Sequence, residues 1–523
     1  MKNRYKYIMI TVVTILLGSM VSCSDFLDED PKGLLTPDTF FKNAEEVTLA
    51  LNKLTDDASG PAGFLQHLGT DIGNSGRIPL SAAGRFGGYE YFPDTGRVNN
   101  TWSGYYTVVR DANTFLASIE RSSLPDDVKG NAIAQILFFR AFVYLKLVVE
   151  FGDVPYWRDE LINIEEVSLL GKTDAHEIVK GLISDLEEAI SSGDLSTKKW
   201  NENEGRPTVW AARMLKAHCH VWLAKDDRNE WKGAHAELLA LTNNSPHALS
   251  NDYADMHREG NEMHDEIIYG RQYLIDVHGS NPVSAHYRRQ SENGNTRTAM
   301  TEIGVNVGAS QINLRRSFAI TFDNNDKRKL YNVWDSQLLQ DSTTVANFNW
   351  VYIPKFQRAP VPTVDPLLSF SEANNNSSEP ARVFLLADAY LLLAEAEFML
   401  NGSTQAALNA INTVRKRTGL ADYTSITMED IRNERAWELV SDGYWGRKKD
   451  LVRWGILEKT VIELPAKEIA AGANATAIEY AEAEAAIISA APVGKYHVLP
   501  IPLSEIEQSR DIGGALTQNP LWE

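Results

Sequence analysis

Apolar side chains recur at helical spacing over most of the chain. Ile178, Leu182, Leu186 and Ile190 follow each other at intervals of four residues, which places them on one face of a helix. Comparable patterns predict helices over 44–58, 104–120, 128–151, 208–224, 231–242, 383–400, 404–418 and 428–441. Because the links between successive helices are short, the pattern predicts a mostly α fold with a TPR-like scaffold of helical pairs. No repeat of about 34 residues is visible, so an irregular helical domain is the alternative.

Helix-capping residues support these boundaries. Three pairs of polar residues stand where helices are predicted to begin and have the spacing of a capping box. They are Asn43 and Glu46, Asp174 and Glu177, and Thr427 and Asp430. Pro207 is suited to open the helix at 208–224, and Gly419 to close the helix at 404–418.

Three stretches lack long helical periodicity. Residues 59–103 and 243–382 are rich in turn residues and isolated aromatics, with short strand-like pieces at 266–269 and 350–353. Irregular segments on a rigid helical frame are where binding residues usually lie. The alanine-rich stretch 466–491 is interpreted as a solvent-exposed helix or a mobile excursion, and no function is assigned to it.

The N-terminus resembles a bacterial lipoprotein signal. Three basic residues among the first six precede an apolar run at 8–17, which is too short to span a membrane. The segment 20–23 resembles a lipobox, although Leu is usual where Met20 stands. We therefore expect cleavage after Ser22 and a lipid anchor of the palmitate type on Cys23. An ordinary secretory signal is the alternative, and no further segment is predicted to cross a membrane.

Composition narrows the range of functions. The formal net charge is −19 and there is no basic run, so nucleic-acid binding is disfavoured. The chain has two cysteines, Cys23 and Cys219, and a lipid on Cys23 leaves no pair for an internal disulfide. Cys219 lies in an apolar helical stretch, which predicts a buried thiol. The acidic segment 24–30 resembles the surface-export signals of Bacteroidetes lipoproteins.

Sequence landmarks in a fixed order resemble the SusD/RagB family of outer-membrane nutrient-binding lipoproteins. They are FRAFVY at 139–144, FGDVP at 151–155, GRPT at 205–208, DKR at 326–328, LADAYLLLAEA at 386–396, INTVRKRTGL at 411–420, IRNER at 431–435, DLVRWG at 450–455, LPIP at 499–502 and TQNP at 517–520. Phe151 stands where Tyr is more usual, and Lys327 where Pro is usual. The joint order of these landmarks, together with the leader, carries the resemblance.

The resemblance implies a fold, a place and a partner. It implies TPR-like helix pairs that support an irregular, loop-rich ligand-binding face, on a lipid-anchored protein exposed at the cell outer membrane. It also implies that the protein passes a glycan, such as a starch-like oligosaccharide or another polysaccharide fragment, to a SusC-like TonB-dependent transporter. Peptide binding, as in the RagB branch, is the alternative ligand class. The protein is then a binding protein rather than an enzyme, with no cofactor.

The expected organisation is a signal peptide and one large domain. The signal peptide covers residues 1–22, and the SusD-like domain covers 23–523. Within that domain we distinguish an N-terminal helical part at 23–242, a loop-rich insert at 243–382 and a C-terminal helical part at 383–523.

Aromatic residues beside polar residues in the irregular segments are the candidate ligand contacts. Sugar C–H groups pack on flat rings, and sugar hydroxyls need oriented polar groups. The segments 71–106 and 273–350 contain such residues, among them Trp350. The residues assigned to the site are Trp102, Asp71, Arg85, Tyr89, Tyr287 and Trp334. Trp102 is the first choice, because the family often places an aromatic platform at this point.

Enzyme motifs are incomplete in this sequence. The segment Gly171-Lys172-Thr173 lacks the first glycine of a P-loop, since Glu166 stands there. The segment beginning at Asp323 lacks the glycine and the final acidic residue of a calcium loop, so no metal is expected. A surface glycoside hydrolase is still an alternative, because its paired acids meet only in space.

The charged residues of the IRNER landmark are interpreted as structural. Arg432, Glu434, Arg435 and Glu438 have the spacing of ion pairs within one helix. We therefore expect them to stabilise the helical frame, and we place none of them in a binding or catalytic site.

Overall fold

The computed structural model describes residues 41–58, 67–75, 82–160, 166, 169–258, 260–274, 312–338, 343–356 and 380–523. The part before the irregular middle contains seven helices within these ranges. They are α1 Ala44–Ala58, α2 Ala82–Gly87, α3 Gly96–Arg121, α4 Asp126–Phe151, α5 Ala175–Ser191, α6 Val209–Leu223 and α7 Glu230–Asn244.

The other described elements are six short strands and the helices that follow α7 in the chain. The strands are β1 Gly73–Ser75, β2 Ile267–Arg271, β3 Ile312–Leu314, β4 Trp334–Leu338, β5 Val345–Tyr352 and β6 Ala381–Leu385. The helices are α8 Arg316–Ala319, α9 Lys329–Asn332, α10 Leu386–Asn401, α11 Gln405–Arg415, α12 Met428–Glu438, α13 Gly446–Arg453, α14 Leu457–Ile462, α15 Leu464–Ala470, α16 Ala475–Ala490 and α17 Leu503–Asp511.

The long helices form a continuous layer. From α3 to α7 each helix packs against the next one in the chain, and α7 packs against α10, which carries α11 and α12. This succession of packed antiparallel neighbours confirms the mostly α prediction and the TPR-like pairing of helices. The helix α4 is long and apolar enough to cross a membrane by length and composition, but 83% of its apolar window is buried in the protein. It serves here as the central core helix.

Local capping chemistry agrees with the sequence at several helix ends. The Asn43 side chain accepts a hydrogen bond from the Glu46 backbone amide at 3.0 Å, while the Glu46 carboxylate accepts from the Lys42 amide rather than from Asn43. Thr427 and Asp430 form the complete reciprocal capping box of α12. Gly419 has a φ of 84° after α11 and its terminal 3₁₀ turn, a conformation that favours glycine.

Other predicted boundaries are wrong in ways that have physical causes. Pro207 precedes the helix it was expected to open, because Thr208 is the N-cap and α6 begins at Val209. Residues 383–385 belong to strand β6, which pairs with β2 before α10 begins. The alanine-rich stretch is neither fully exposed nor irregular, because one face of α16 is buried against α14 and α15.

The charged residues of α12 pair mainly with other segments, so the predicted intrahelical pairs are wrong for most of them. Glu434 pairs with Arg328 and Arg415, and Glu438 pairs with Arg328 and with a further buried arginine, Arg417. Arg435 pairs with Asp388 and Asp450. Only Arg432 has a partner within the helix, Glu429 at 3.8 Å, among the described residues. These contacts do support the structural interpretation of the landmark.

A small antiparallel sheet lies beside the helical layer. Its strand order is β1-β3-β5-β4, with Gly73 opposite Leu314 and Leu314 opposite Val351. The register between β4 and β5 shifts, since Trp334 pairs with Tyr352 but Ser336 pairs with Asn347. This bulge disrupts the regular alternation of β5 near its end, which is the usual way in which a strand re-aims a side chain.

Candidate functional site

Two half-buried aromatic rings lie together at the surface beside the small sheet. Trp350 on β5 and Tyr480 on α16 have ring centroids 6.3 Å apart and planes inclined by 17°. Because each of these stacked rings is only half-buried, part of its apolar surface stays accessible, and a sugar ring can pack on such aromatic surface. We call Trp350 and Tyr480 the aromatic pair.

The bulge in β5 accounts for the position of Trp350. Along this strand Phe348 and Val351 are buried, whereas Asn349 is exposed and Trp350 is half-buried. In a regular strand the exposed positions would alternate strictly. Because the register shift falls between Asn347 and Tyr352, Trp350 is turned partly out of the core.

The cap of α16 ties Tyr480 to the same strand. Asn474 is the N-cap, and its side-chain oxygen accepts from the Ala477 amide at 2.9 Å. Its side-chain amide donates to the backbone carbonyl of Asn349, the residue before Trp350. One asparagine therefore both starts the helix and anchors it to the strand that carries the other ring.

Polar groups surround the aromatic pair. Asn347 and Asn349 are exposed on β5, and Glu479 and Glu482 are exposed on α16. Burial, with the Glu479 carboxylate as a second cause, raises the pKa of Tyr480 above its usual value. The phenol therefore keeps its proton at neutral pH, so its hydroxyl can both donate and accept hydrogen bonds.

Asp71 and Tyr89 converge on consecutive residues of α13. Asp71 forms a two-pronged ion pair with Arg447, at 2.9 and 2.6 Å. Burial alone would raise the pKa of Asp71, but the Arg447 guanidinium outweighs it and holds that pKa below its usual value. Tyr89 is 2% exposed, its hydroxyl donates to the Gly69 carbonyl, and the Lys448 ammonium lies 4.7 Å from its ring centroid.

The two tryptophans assigned to the site lie apart from that cluster, inside the protein. Trp102 lies within α3 rather than before it, is 3% exposed and packs against Tyr106 and Phe151. Trp334 is also 3% exposed and packs against Phe348. Rings buried in this way pack the core in the structure, and their assignment as ligand contacts stays a prediction.

Of the remaining two assigned residues, only Arg85 lies in the described part of the chain. Arg85 is exposed at the end of α2, so its side chain is accessible to a ligand. Tyr287 lies outside the described residues. In the described part of the chain, no contact joins the aromatic pair to any of the other residues assigned to the site, which are Asp71, Arg85, Tyr89, Trp102 and Trp334.

Sequence reasoning missed Tyr480 because the alanine-rich stretch was given no function. A usable signal was present, since Tyr480 is the one aromatic residue between 466 and 491 and stands four residues before Glu484. Within the described ranges no group of three or more His, Cys, Asp or Glu residues is arranged to hold a metal ion.

Two protein-family models and a curated relative match this chain. A family model described as "SusD family" matches residues 287–522, and one described as "Starch-binding associating with outer membrane" matches residues 25–219. A curated relative, SusD-like protein P25 of Formosa agariphila, is 28% identical over 95% of this chain and 96% of its own length.

Solved structures share the fold at low sequence identity. A laminarin-binding SusD-like protein has a TM-score of 0.73 at 21% identity, covering 92% of this chain and all of its own. Surface glycan-binding protein A from Bacteroides thetaiotaomicron, solved with laminarihexaose, has a TM-score of 0.71 at 19% identity, covering 91% of this chain and 99% of its own.

The described part of the chain is a scaffold of paired helices beside a small irregular sheet, with the half-buried aromatic pair at its surface. With two family models matching in succession along the chain and a curated relative aligned over almost all of it, the chain belongs to the SusD-like family.

Proposed function

We propose that this protein captures a glycan at the cell surface and delivers it to a SusC-like TonB-dependent transporter in the outer membrane. The aromatic pair is the observation that carries the proposal, because its rings are accessible and flanked by amide and carboxylate side chains. Solved relatives described as laminarin-binding or glycan-binding support the same ligand class. The family model described as starch-binding and associating with the outer membrane supports the location.

Glycan binding fits the site better than hydrolysis does. A glycosidase needs two carboxyl groups placed on either side of the scissile bond. The two buried glutamates near the aromatic pair are already engaged, Glu484 with Arg315 and Glu468 with Ser317. The exposed Glu479 and Glu482 are suited to accept hydrogen bonds from sugar hydroxyls.

Calorimetry with laminarihexaose and maltohexaose tests the proposal. We expect binding of at least one hexasaccharide by the wild type, and binding weakened about tenfold by Trp350→Ala or Tyr480→Ala, since each loses ring contact worth about 1–3 kcal/mol. The matched control is Trp222→Ala, which removes another half-buried tryptophan that packs on Lys225 and His176 of the helical layer. That variant should bind like the wild type.

Two outcomes would contradict glycan capture. Steady release of reducing ends from a polysaccharide would make the protein a surface glycoside hydrolase. Tighter binding of peptides than of either hexasaccharide would place it with the peptide-binding RagB-like proteins. Among the described residues assigned to the site from the sequence, Arg85 is the most exposed and is an additional ligand contact in this proposal.

The proposed location rests on the N-terminal segment, which lies outside the described residues. We propose export by the leader at 1–22 and lipid attachment at Cys23, followed by the acidic segment 24–30. Cys23→Ala is expected to move the protein from the membrane fraction to the soluble fraction in cells that lack the transporter. Unchanged membrane association in those cells would contradict lipidation.

A further inference from the structure

A buried ion pair close to the aromatic pair joins α16 to the residue that follows β3. Arg315, with a fully buried side chain, pairs with Glu484 of α16. Its side chain also donates to the Thr70 carbonyl at 2.5 Å, and its backbone amide donates to the Ile72 carbonyl at 2.8 Å. Arg315 is thereby fixed to the segment before β1 as well as to the helix.

The two members of this ion pair stand next to the two rings. Because Leu314 pairs with Val351 in antiparallel register, Arg315, directly after the end of β3, lies next to Trp350 of β5. Glu484 lies four residues after Tyr480, so both side chains project from the same face of α16. The ion pair therefore connects the backbone beside one ring to the helix turn that carries the other.

We infer that Arg315 and Glu484 are positioning residues for the glycan site: their ion pair sets the register of α16 against the sheet and so fixes the spacing of the Trp350 and Tyr480 rings. This inference rests on the proposed function of the aromatic pair. It also gives a reason for charged residues at this buried position, because apolar residues of similar size often stabilise a core as well or better. A charged pair with directional hydrogen bonds specifies one register where an apolar contact tolerates sliding.

The geometry around the ion pair shows how closely α16 is held. Asn474 fixes the start of the helix to the Asn349 carbonyl, and Glu484 fixes it ten residues later to Arg315. Tyr480 lies between these two anchors. Glu468 of α15 accepts from the Ser317 amide at 3.1 Å, close to Arg315 in the chain, so the neighbouring helix is held to the same segment.

The test combines binding with a readout that needs no ligand. Acrylamide quenching of the Trp350 fluorescence, taken as the difference between each protein and its Trp350→Phe version, reports how well Tyr480 covers the ring. We expect Glu484→Ala to increase this quenching and to weaken binding of the tighter hexasaccharide about tenfold. Glu484→Gln should retain most of both properties, because its amide still bonds to Arg315. The matched control is Glu507→Ala, an exposed glutamate of α17 to which no part in the site is assigned, and it should change neither property.

A double-mutant cycle separates positioning from general stability. In the Tyr480→Ala background, Glu484→Ala should have no further effect on hexasaccharide binding, because the ring that it positions is gone. Equal weakening with and without Tyr480, or unchanged quenching with a lowered melting temperature, would overturn the inference. If Glu484→Ala does not fold, Arg315→Met combined with Glu484→Met replaces the pair by apolar side chains. This double variant should fold but still show raised quenching and weakened binding, and wild-type values in it would also overturn the inference.

The two proposals fail in different ways. If the wild type binds neither hexasaccharide, the proposed glycan capture is contradicted, while the quenching experiment still decides whether Glu484 positions Tyr480. If the wild type binds and the Glu484 variants behave like Glu507→Ala, only the positioning role is lost.

Discussion

Trp102 has its ring packed between two neighbours, with centroids 4.7 Å from that of Tyr106 and 5.1 Å from that of Phe151. Phe151 ends the central helix α4, and Tyr106 donates a hydrogen bond to the Pro155 carbonyl at 2.8 Å. The indole therefore lies where α3 meets the end of α4. Its removal leaves a cavity in the core, whereas removal of the half-exposed Trp350 leaves a gap that water can fill.

We expect Trp102→Ala to lower the free energy of unfolding by about 3–5 kcal/mol, which is the usual cost of truncating a buried tryptophan. Urea denaturation followed by circular dichroism measures it. Trp222→Ala, with a half-buried ring, should cost clearly less. A Trp102→Ala protein that keeps its stability and loses hexasaccharide binding would instead make Trp102 a ligand contact.

Lys448 is a buried cation whose surroundings disfavour its charge. Its side chain is enclosed by Tyr89 and Tyr91, and its ammonium lies 3.3 Å from the Tyr91 hydroxyl. Burial, and then the neighbouring Lys449 ammonium, lower the pKa of Lys448 to about 7, and Glu150 opposes them only partly. The unfolded chain, with its ordinary lysine pKa, binds the proton more tightly than the folded protein does.

This difference predicts how stability changes with pH. Between about pH 7 and the ordinary lysine pKa, the unfolded chain holds more protons, so the Lys448 contribution to stability rises with pH and is least favourable below pH 7. Lys448→Met removes the cost, so its advantage in free energy of unfolding should be roughly 2–5 kcal/mol at pH 6 and shrink toward pH 10. Urea titrations at both pH values measure it.

The control Lys449→Met loses an ion pair with Glu150 at 3.3 Å and should be destabilising at pH 6. A Lys448→Met advantage independent of pH would contradict the prediction.

At the scale of elements, the turn between α12 and α13 explains why one predicted helix is too long. The sequence predicts a helix at 428–441, but α12 ends at Glu438. Ser441 has a φ of 65° and Gly443 a φ of 101°, and these left-handed conformations end the helix. The Ser441 hydroxyl is buried and has no hydrogen-bond partner among the described residues. The turn is held by its surroundings, since Asp442 accepts hydrogen bonds from Lys355 at 2.9 Å and Arg382 at 3.3 Å.

Ser441 carries a backbone strain that glycine would relieve. We expect Ser441→Gly to be about 1 kcal/mol more stable than Ser441→Ala, because glycine adopts a positive φ without the steric cost of a Cβ atom. The alanine variant removes the same hydroxyl, so the comparison isolates the backbone. Thermal denaturation of both proteins gives the difference. Equal melting temperatures would show that the left-handed conformation costs nothing here.

How well a feature can be predicted from the sequence depends on how far apart its interacting residues lie along the chain. Caps such as Thr427 with Asp430 were predicted because both partners lie within one turn. Trp350 was recognised as an aromatic in an irregular segment, but its exposure depends on a bulge set by pairing with β4. The position of Tyr480 depends on contacts of α16 with Arg315 and with Asn349 of β5, more than 120 residues earlier in the chain. Contacts between such distant segments leave no local sequence pattern, so the sequence does not predict that Tyr480 joins Trp350 in the candidate site.

At the scale of the whole molecule, buried charges join segments that are distant in sequence. Arg328 bonds to Asp326 and Glu438, and Arg417 bonds to Glu266 and to the same Glu438. Burial alone would raise the pKa of Glu438, but the guanidinium groups of Arg417 and Arg328 outweigh it and hold that pKa below its usual value. One carboxylate thus links the end of α12 to the irregular middle of the chain.

This linkage predicts sensitivity to acid. Because the folded pKa of Glu438 is lowered, its contribution to stability is present above the ordinary glutamate pKa and is lost as pH falls through the folded value. Glu438→Gln should therefore cost about 3 kcal/mol at pH 7 and progressively less below pH 4. The control Glu429→Gln, at the exposed start of the same helix, should change stability by less than about 0.5 kcal/mol. Urea denaturation across this pH range measures the loss in free energy of unfolding. A loss for Glu438→Gln that persists in acid would contradict the linkage.

The C-terminal end of α4 has a consequence for how this chain is made. The Glu150 carbonyl accepts from the Leu499 amide at 2.6 Å, and the Phe151 carbonyl accepts from the Asn519 side chain, 368 residues further on, at 2.9 Å. While a nascent chain still lacks these residues, this long apolar helix cannot complete its hydrogen bonds or its packing. Final closure of the core therefore waits until nearly all of the chain has been synthesised. Under the export proposed above, this delay keeps the earlier segments loose enough to be threaded through a translocation pore.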